Sequence, residues 1–223
     1  MLRKKNEKYI KIVLTNKING DIIISITRLM SLQNKIIAIA GNARSGKDTL
    51  GRNFRDLLLE QGINAETYSF ATELKLSVDD FLIKELGISA FTEIEEEKKL
   101  IRPFLVFWGT KVMRSINDNI WVEKLTDRLQ HNKVSIITDL RFDNELDWVK
   151  TNNGLSLFIK REGIAPANTC EEENNKSLES NVGSVFHLAN VEDKNVLMMT
   201  ANEILNSMIT KQTYEIWKAT CHS

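Results

Sequence analysis

Two glycines with four residues between them, followed at once by a lysine, are the pattern from which a phosphate-binding loop is made: Gly41-Asn42-Ala43-Arg44-Ser45-Gly46-Lys47. Backbone N–H groups can surround a polyanion only where no Cβ blocks the approach, and Gly41 and Gly46 suit those places. Lys47 adds a mobile point charge for the β- and γ-phosphates. The helix that should start at Asp48-Thr49 adds its positive N-terminal end. The residue after such a lysine is usually Ser or Thr, whose hydroxyl binds Mg²⁺; here it is Asp48, with Thr49 behind it. A nucleoside triphosphate with Mg²⁺ is therefore expected here. The bland alternative is a chance match with Asp48 as a helix-cap residue. The strand expected before the loop and the helix expected after it weigh against chance.

Positioning such a loop takes a strand before it and a helix after it, and the chain supplies both repeatedly. Apolar runs near 36–40, 64–70, 134–139, 155–159 and 185–188 predict strands. Between them lie amphipathic patterns, such as Leu50, Phe54, Leu57 and Leu58, then Val122, Leu125 and Leu129, and finally Leu197, Ala201, Leu205 and Met208. Residues 71–86 predict one helix closed by Gly87. Glu93 to Lys99 predict an exposed helical face with charge pairs at four-residue spacing, and Pro103 a helix start or kink. Phe104, Phe107 or Trp108, and Val112 recur at helical spacing and are core material first. Strands alternating with helices imply an α/β fold with a mostly parallel five-stranded sheet covered on both faces, in three layers. Residues 162–180 are polar and are expected to be a loop or lid rather than core.

The chain of 223 residues suffices for one large domain with appendages. Thirty basic residues balance thirty acidic ones, so bulk charge gives no case for nucleic acid or membranes as partners. No apolar run approaches transmembrane length. Cys170 and Cys221 lack metal-type spacing, and free thiols in a reducing cytoplasm explain them. Residues 1–34 are expected to be an N-terminal extension to a domain over 35–223. Residues 1–17 are basic, and 1–29 are expected to be dispensable, since Met30 lies just ahead of the first core strand.

In a parallel sheet, ligands bind beyond the carboxyl ends of the strands. That rule gathers Gly41–Thr49, Ser69–Lys75, Asp139–Arg141 and Arg161 on one rim. Asp139 follows the third strand, where phosphate-loop enzymes place a carboxylate near the metal; a helix cap or a partner for Arg141 is its alternative role. Arg141 and Arg161 carry donor forks suited to phosphate oxygens. Arg102 and Arg114 bracket an aromatic helix, where plain surface charge is the stronger expectation. Several arginines around one loop suggest more phosphate than one triphosphate tail, and hence a phosphorylated acceptor.

With these residues in view, the chain resembles the phage-type deoxynucleoside monophosphate kinases. The likeness lies in Gly41 to Thr49, with GKD rather than GKS, in Phe70 to Lys75, in Arg102 to Arg114, in Trp121-Val122 and in Thr138 to Glu145. Weaker echoes are Ile159 to Arg161 and Ser177 to Ser180. The resemblance implies a phosphate-loop fold with a helical acceptor-binding region over 71–130 and a lid over 162–180. It implies transfer of a phosphoryl group from ATP to a deoxynucleoside 5′-monophosphate, in the cytoplasm or, for a viral protein, the host cytoplasm, by a homodimer. Carried onto this sequence, Gly41, Asn42, Ala43, Arg44, Ser45, Gly46 and Lys47 would hold the donor phosphates. Asp48, Thr49 and Asp139 would face Mg²⁺. Lys75, Arg102, Trp108, Arg114, Trp121 and Arg141 would meet the acceptor, and Arg161 would close over the donor. Two positions depart from the pattern: Val106 stands where a polar residue is expected, and 177–179 lack a histidine. Competing readings are a kinase of another phosphorylated acceptor such as phosphomevalonate, a nucleotide-binding module without catalysis, and a nucleic-acid end kinase supported only by the basic arm.

Overall fold

The computed structural model describes residues 35–188 and 194–221, the latter without side chains at 194, 195, 209 and 211–221. The expected extension over 1–34 lies outside the described residues. Five strands, β1 (Ile36–Gly41), β2 (Ala65–Tyr68), β3 (Val134–Ile137), β4 (Leu155–Arg161) and β5 (Ser184–Leu188), form one sheet in the order β2-β3-β1-β4-β5. Every neighbouring pair is parallel. All five carboxyl ends therefore lie on one rim, and the strand order reverses direction at β1, which opens a crevice there.

The alternation along β1 sorts the core. Ile37 and Ile39 point to one face, where they meet Phe54 and Leu58 of α1 (Lys47–Glu60) and Ala201 and Leu205 of the last helix, α9 (Lys194–Cys221). Ile36, Ala38 and Ala40 point to the other face. There they meet Phe70 of α2 (Phe70–Leu76), Trp121 and Leu125 of α6 (Ile120–Arg128), Leu146 and Val149 of α7 (Asp143–Thr151), and Leu178 of α8 (Thr169–Asn181). The result is the expected three-layer α/β phosphate-loop fold with helices on both sides of a parallel sheet. No described helix is long and apolar enough to cross a membrane.

The structure corrects several local expectations. The helix expected over 71–86 is two, α2 and α3 (Asp79–Leu86), with Val78 packed at the break in a satellite cluster with Leu82, Ala90 and Ile101. Pro103 sits inside α4 (Glu95–Val106) rather than at its start, and four residues later the rod widens into a π-helix (Phe107–Met113) before one last turn, α5 (Arg114–Ile116). Lys98 pairs with Glu93 and Glu95, at five- and three-residue spacing rather than four. Of the two residues offered for one core position, Phe107 is 56 % exposed and Trp108 takes the place, half-buried and stacked on Phe104. Residues 169–181 are helical, not loop, and Leu178 is fully buried against the sheet.

Candidate active site

The loop between β1 and α1 has the backbone of an anion cradle. Gly41 takes φ +146°, Arg44 +64° and Gly46 +94°. Such alternation turns successive N–H groups toward one side of the chain. A Cβ on Gly41 would stand 2.5 Å from the Ile159 carbonyl oxygen of β4 and 3.0 Å from Ser45 Oγ, so only glycine lets the loop leave the sheet this closely. No side chain caps the N-terminus of α1, which leaves its first-turn amides to a ligand. Ser45 Oγ is buried without a hydrogen-bond partner among the described residues. A buried hydroxyl in that state costs free energy until an acceptor or donor meets it, and a phosphate oxygen would. The Gly41 cradle and the orphaned hydroxyl together fit a polyphosphate.

Lys47 lies within the loop and donates to the carbonyl oxygens of Gly41 (2.8 Å) and Asn42 (2.7 Å). Burial and the nearby Arg141 guanidinium push its pKa below the usual lysine range. Arg141 lies on the same rim as Lys47, as the strand-end rule requires: it follows β3, parallel to β1, and the preceding Leu140 N–H donates to the Ile39 carbonyl oxygen of β1 (3.2 Å). Arg161 lines a cleft with Ser45, Gly46, Thr49 and Asn53, bounded on its far wall by Leu188 and Leu197. Its guanidinium lies 3.6 Å from where a Cβ on Gly46 would be.

The segment after β4 reaches back over the loop. Asn42 Nδ2 donates to the Ile164 carbonyl (2.9 Å), and Asn42 Oδ1 accepts from Asn175 Nδ2 of α8 (2.7 Å). The Ala43 N–H donates to Glu171 Oε1 (2.9 Å), and the other carboxylate oxygen of Glu171 accepts from the Ala167 N–H. A carboxylate thus sits on an amide of the phosphate loop, and its charge acts on Lys47. Sequence reasoning missed Glu171 because its partner lies 128 residues away.

Asp139 is buried and accepts from Ser69 Oγ, the Phe70 N–H and the Ala71 N–H, each at 2.9 Å. It caps α2, the alternative role that the sequence left open. Asp48 is exposed and Thr49 half-buried at the start of α1. No group of three or more His, Cys, Asp or Glu side chains among the described residues could hold a metal ion. The donor set near the loop is a hydroxyl and single carboxylates, all hard oxygens. It fits Mg²⁺, which keeps its waters and takes phosphate oxygens rather than a protein cage.

The acceptor-side residues divide. Lys75 stands over the Phe91 ring at 5.3 Å. Arg102 is exposed on α4 and lines a shallow hollow with Val106, Phe107 and Lys111 that shares no residue with the loop cleft. Trp108 is stacked on Phe104 and its indole N–H donates to Ser77 Oγ (3.3 Å). Trp121 is buried, and its N–H donates to the Gly109 carbonyl (3.1 Å), so its work is packing. Arg114 is not the plain surface charge that was its stronger expectation: its side chain is 8 % exposed and ion-paired to Glu145, itself 2 % exposed. Burial, with help from the Asp139 charge, raises the Glu145 carboxyl to about 7 against the pull of Arg114 and two backbone N–H groups.

No family model matches the chain. A protein of Acanthamoeba polyphaga mimivirus that carries the name "Putative deoxynucleotide monophosphate kinase" is 29 % identical over 162 residues, 62 % of this chain and 80 % of that protein. Among solved structures, shikimate kinase from Bacteroides thetaiotaomicron superposes with a TM-score of 0.48 at 13 % identity, over 79 % of this chain and 98 % of the other. A gluconokinase from Sinorhizobium meliloti 1021 gives 0.45 at 12 % identity, over 81 % and 97 %.

Proposed function

We propose that this protein transfers the terminal phosphoryl group of ATP to a deoxynucleoside 5′-monophosphate, releasing ADP and the deoxynucleoside diphosphate. The observation that carries the reading is the shared rim. A phosphate cradle with its lysine follows β1, and a second cation, Arg141, follows the neighbouring parallel strand β3, where the Leu140 N–H donates to the Ile39 carbonyl oxygen of β1 (3.2 Å). One triphosphate tail does not need both, whereas transfer between two phosphates does. The motif resemblance and the name of the mimivirus relative support the choice of acceptor.

Phosphoryl transfer asks little covalent work of a protein, because the transition state is loose and its charge is spread over the moving group. In this reading the loop amides and Ser45 Oγ hold the donor phosphates, and Lys47 exchanges its two carbonyl partners for phosphate oxygens. Arg161 borders the cleft in which the donor's nucleoside would sit. Arg141 orients the acceptor phosphate in line with the donor, and positioning of that kind supplies much of the rate. Bound Mg²⁺, on the Asp48 and Thr49 side, would neutralise charge on the phosphates. The segment over 162–171, already hydrogen-bonded to Asn42 and Ala43, would exclude water that otherwise hydrolyses ATP.

The test is a coupled ADP-release assay with Mg²⁺ and ATP across deoxy- and ribonucleoside monophosphates, with phosphomevalonate as a further arm. ADP release that depends on a deoxynucleoside monophosphate is expected. Release driven by phosphomevalonate alone, or ATP binding without acceptor-dependent release, would contradict the reading.

A further inference from the structure

Arg141 lies in the connection between β3 and α7; the sheet holds that connection as far as Leu140, whose N–H donates to the Ile39 carbonyl oxygen (3.2 Å), and beyond it a side chain takes over. The N–H groups of Arg141 and Phe142 both donate to Glu145 Oε2, at 2.8 and 3.1 Å. Oε1 of the same carboxylate receives Arg114 Nη2. Arg114 is in turn fixed from several sides. It donates to the Asp118 carbonyl oxygen (2.9 Å) and to Asn144 Oδ1 (3.3 Å), and its guanidinium covers the Phe142 ring at 4.0 Å. Asn144 closes the circle by donating to the Asp118 carbonyl oxygen and to Asn119 Oδ1. One buried carboxylate thereby joins three pieces of chain: the end of the helical rod, the turn before α6, and the backbone that aims Arg141.

A buried ion pair is a poor device for stability alone. Apolar side chains of similar volume usually serve as well or better, because both charges must be stripped of water. What such a pair does supply is one geometry, since a guanidinium fork meets a carboxylate in few orientations. Here the geometry is passed on, because the second carboxylate oxygen grips two successive amides. We propose that Glu145 is a positioning residue for Arg141: held by Arg114, it fixes the backbone at 141–142 so that the Arg141 guanidinium faces the acceptor phosphate. This rests on the reading of Arg141 as the acceptor's clamp. It also assigns Arg114 a role at one remove from the substrate.

The test is a double-mutant cycle with Glu145→Gln, Arg141→Ala and the pair, with KM and kcat measured separately for ATP and for the acceptor. Glutamine keeps an oxygen for the amides but loses the charge that holds Arg114. The expected result is a loss of acceptor kcat/KM of about tenfold, the scale of one hydrogen-bonded charge contact. KM for ATP stays unchanged, and no further loss appears when Glu145→Gln is added to Arg141→Ala. Equal losses for both substrates, or losses that multiply in the double variant, would overturn the proposal and mark the pair as structural only. If Glu145→Gln fails to fold, Arg114→Lys, which keeps the charge but not the fork, must show the same acceptor-only loss; a parallel loss on ATP overturns it. Normal Arg141→Ala kinetics would remove the reading of Arg141 and this proposal together. A defective Arg141→Ala beside a normal Glu145→Gln would remove this proposal alone.

Discussion

The half around the phosphate loop and the helical half over residues 70–128, proposed as the donor and acceptor sides, are built on different principles. Around the phosphate loop, β1 is buried along its whole length and flanked by two parallel neighbours, so backbone hydrogen bonds fix the cradle. Over residues 70–128 there is no sheet. Helices there pack on one another and onto the sheet through side chains alone, and large apolar side chains such as Leu100, Phe107 and Ile116 face solvent. The tightest of those contacts is at Gly109 in the π-helix: a Cβ there would stand 2.0 Å from Leu74 Cδ1 of α2. The contrast teaches that the phosphate loop is set by topology, and the helical half by side-chain packing and one close approach at a glycine.

If that division is right, substitutions in the two halves should fail in different ways. The largest loss is expected from Lys47→Ala: phosphoryl transfer should fall by on the order of 10³-fold or more, with the melting curve close to that of the wild type. Wild-type turnover in a steady-state assay would refute the donor-site assignment. Arg141→Ala should lower acceptor kcat/KM by about 10²-fold and leave binding of an ATP analogue intact, as calorimetry would show. Gly109→Ala should cost about 1–3 kcal/mol in a chemical denaturation experiment, because an overpacked contact must move apart. Its ATP-analogue affinity should persist. Loss of that affinity would mean that the two halves are not separable.

Smaller effects test the charges between the halves. The Glu145 carboxyl is raised from its ordinary value of 4.5 to about 7 in the folded chain. Between those values the folded state binds the extra proton, so its contribution to stability is complete below about pH 4.5 and is lost as pH rises through 7. Glu145→Gln should flatten that slope in a pH series of denaturation midpoints. Glu171→Gln should tighten an ATP analogue by roughly fivefold, about 1 kcal/mol, since a competing carboxylate leaves the Ala43 amide. Weaker binding would show that Glu171 braces the loop.

The donor half was legible in the sequence, because strands buried on both faces read as continuous apolar runs and the loop needs glycine at fixed places. Arg141 and Arg161 followed from the strand-end rule. Other features were hidden for physical reasons. Helix α8 carries only Leu178 and Asn175 as buried side chains, so its apolar period is faint. Its start was signalled all the same, by Asn168 three residues before Glu171: Asn168 Oδ1 accepts from the Glu171 N–H. Arg102 is exposed as plain charge would be, whereas Arg114 is buried. Asp118, four residues on, marks Arg114 locally, but the carboxylate that buries it, Glu145, is 31 residues away. The π-helix was likewise invisible, since its residues keep helical spacing on paper.

One measurement bears most directly on the claim that a single rim holds both phosphates. A bisubstrate analogue, in which two nucleosides are joined through a chain of phosphates, would be bound with Mg²⁺ and followed by amide hydrogen exchange. Protection of 41–49 together with 139–142, both lost in Lys47→Ala, is the predicted result. Protection confined to the loop, or absent from it, would contradict the account.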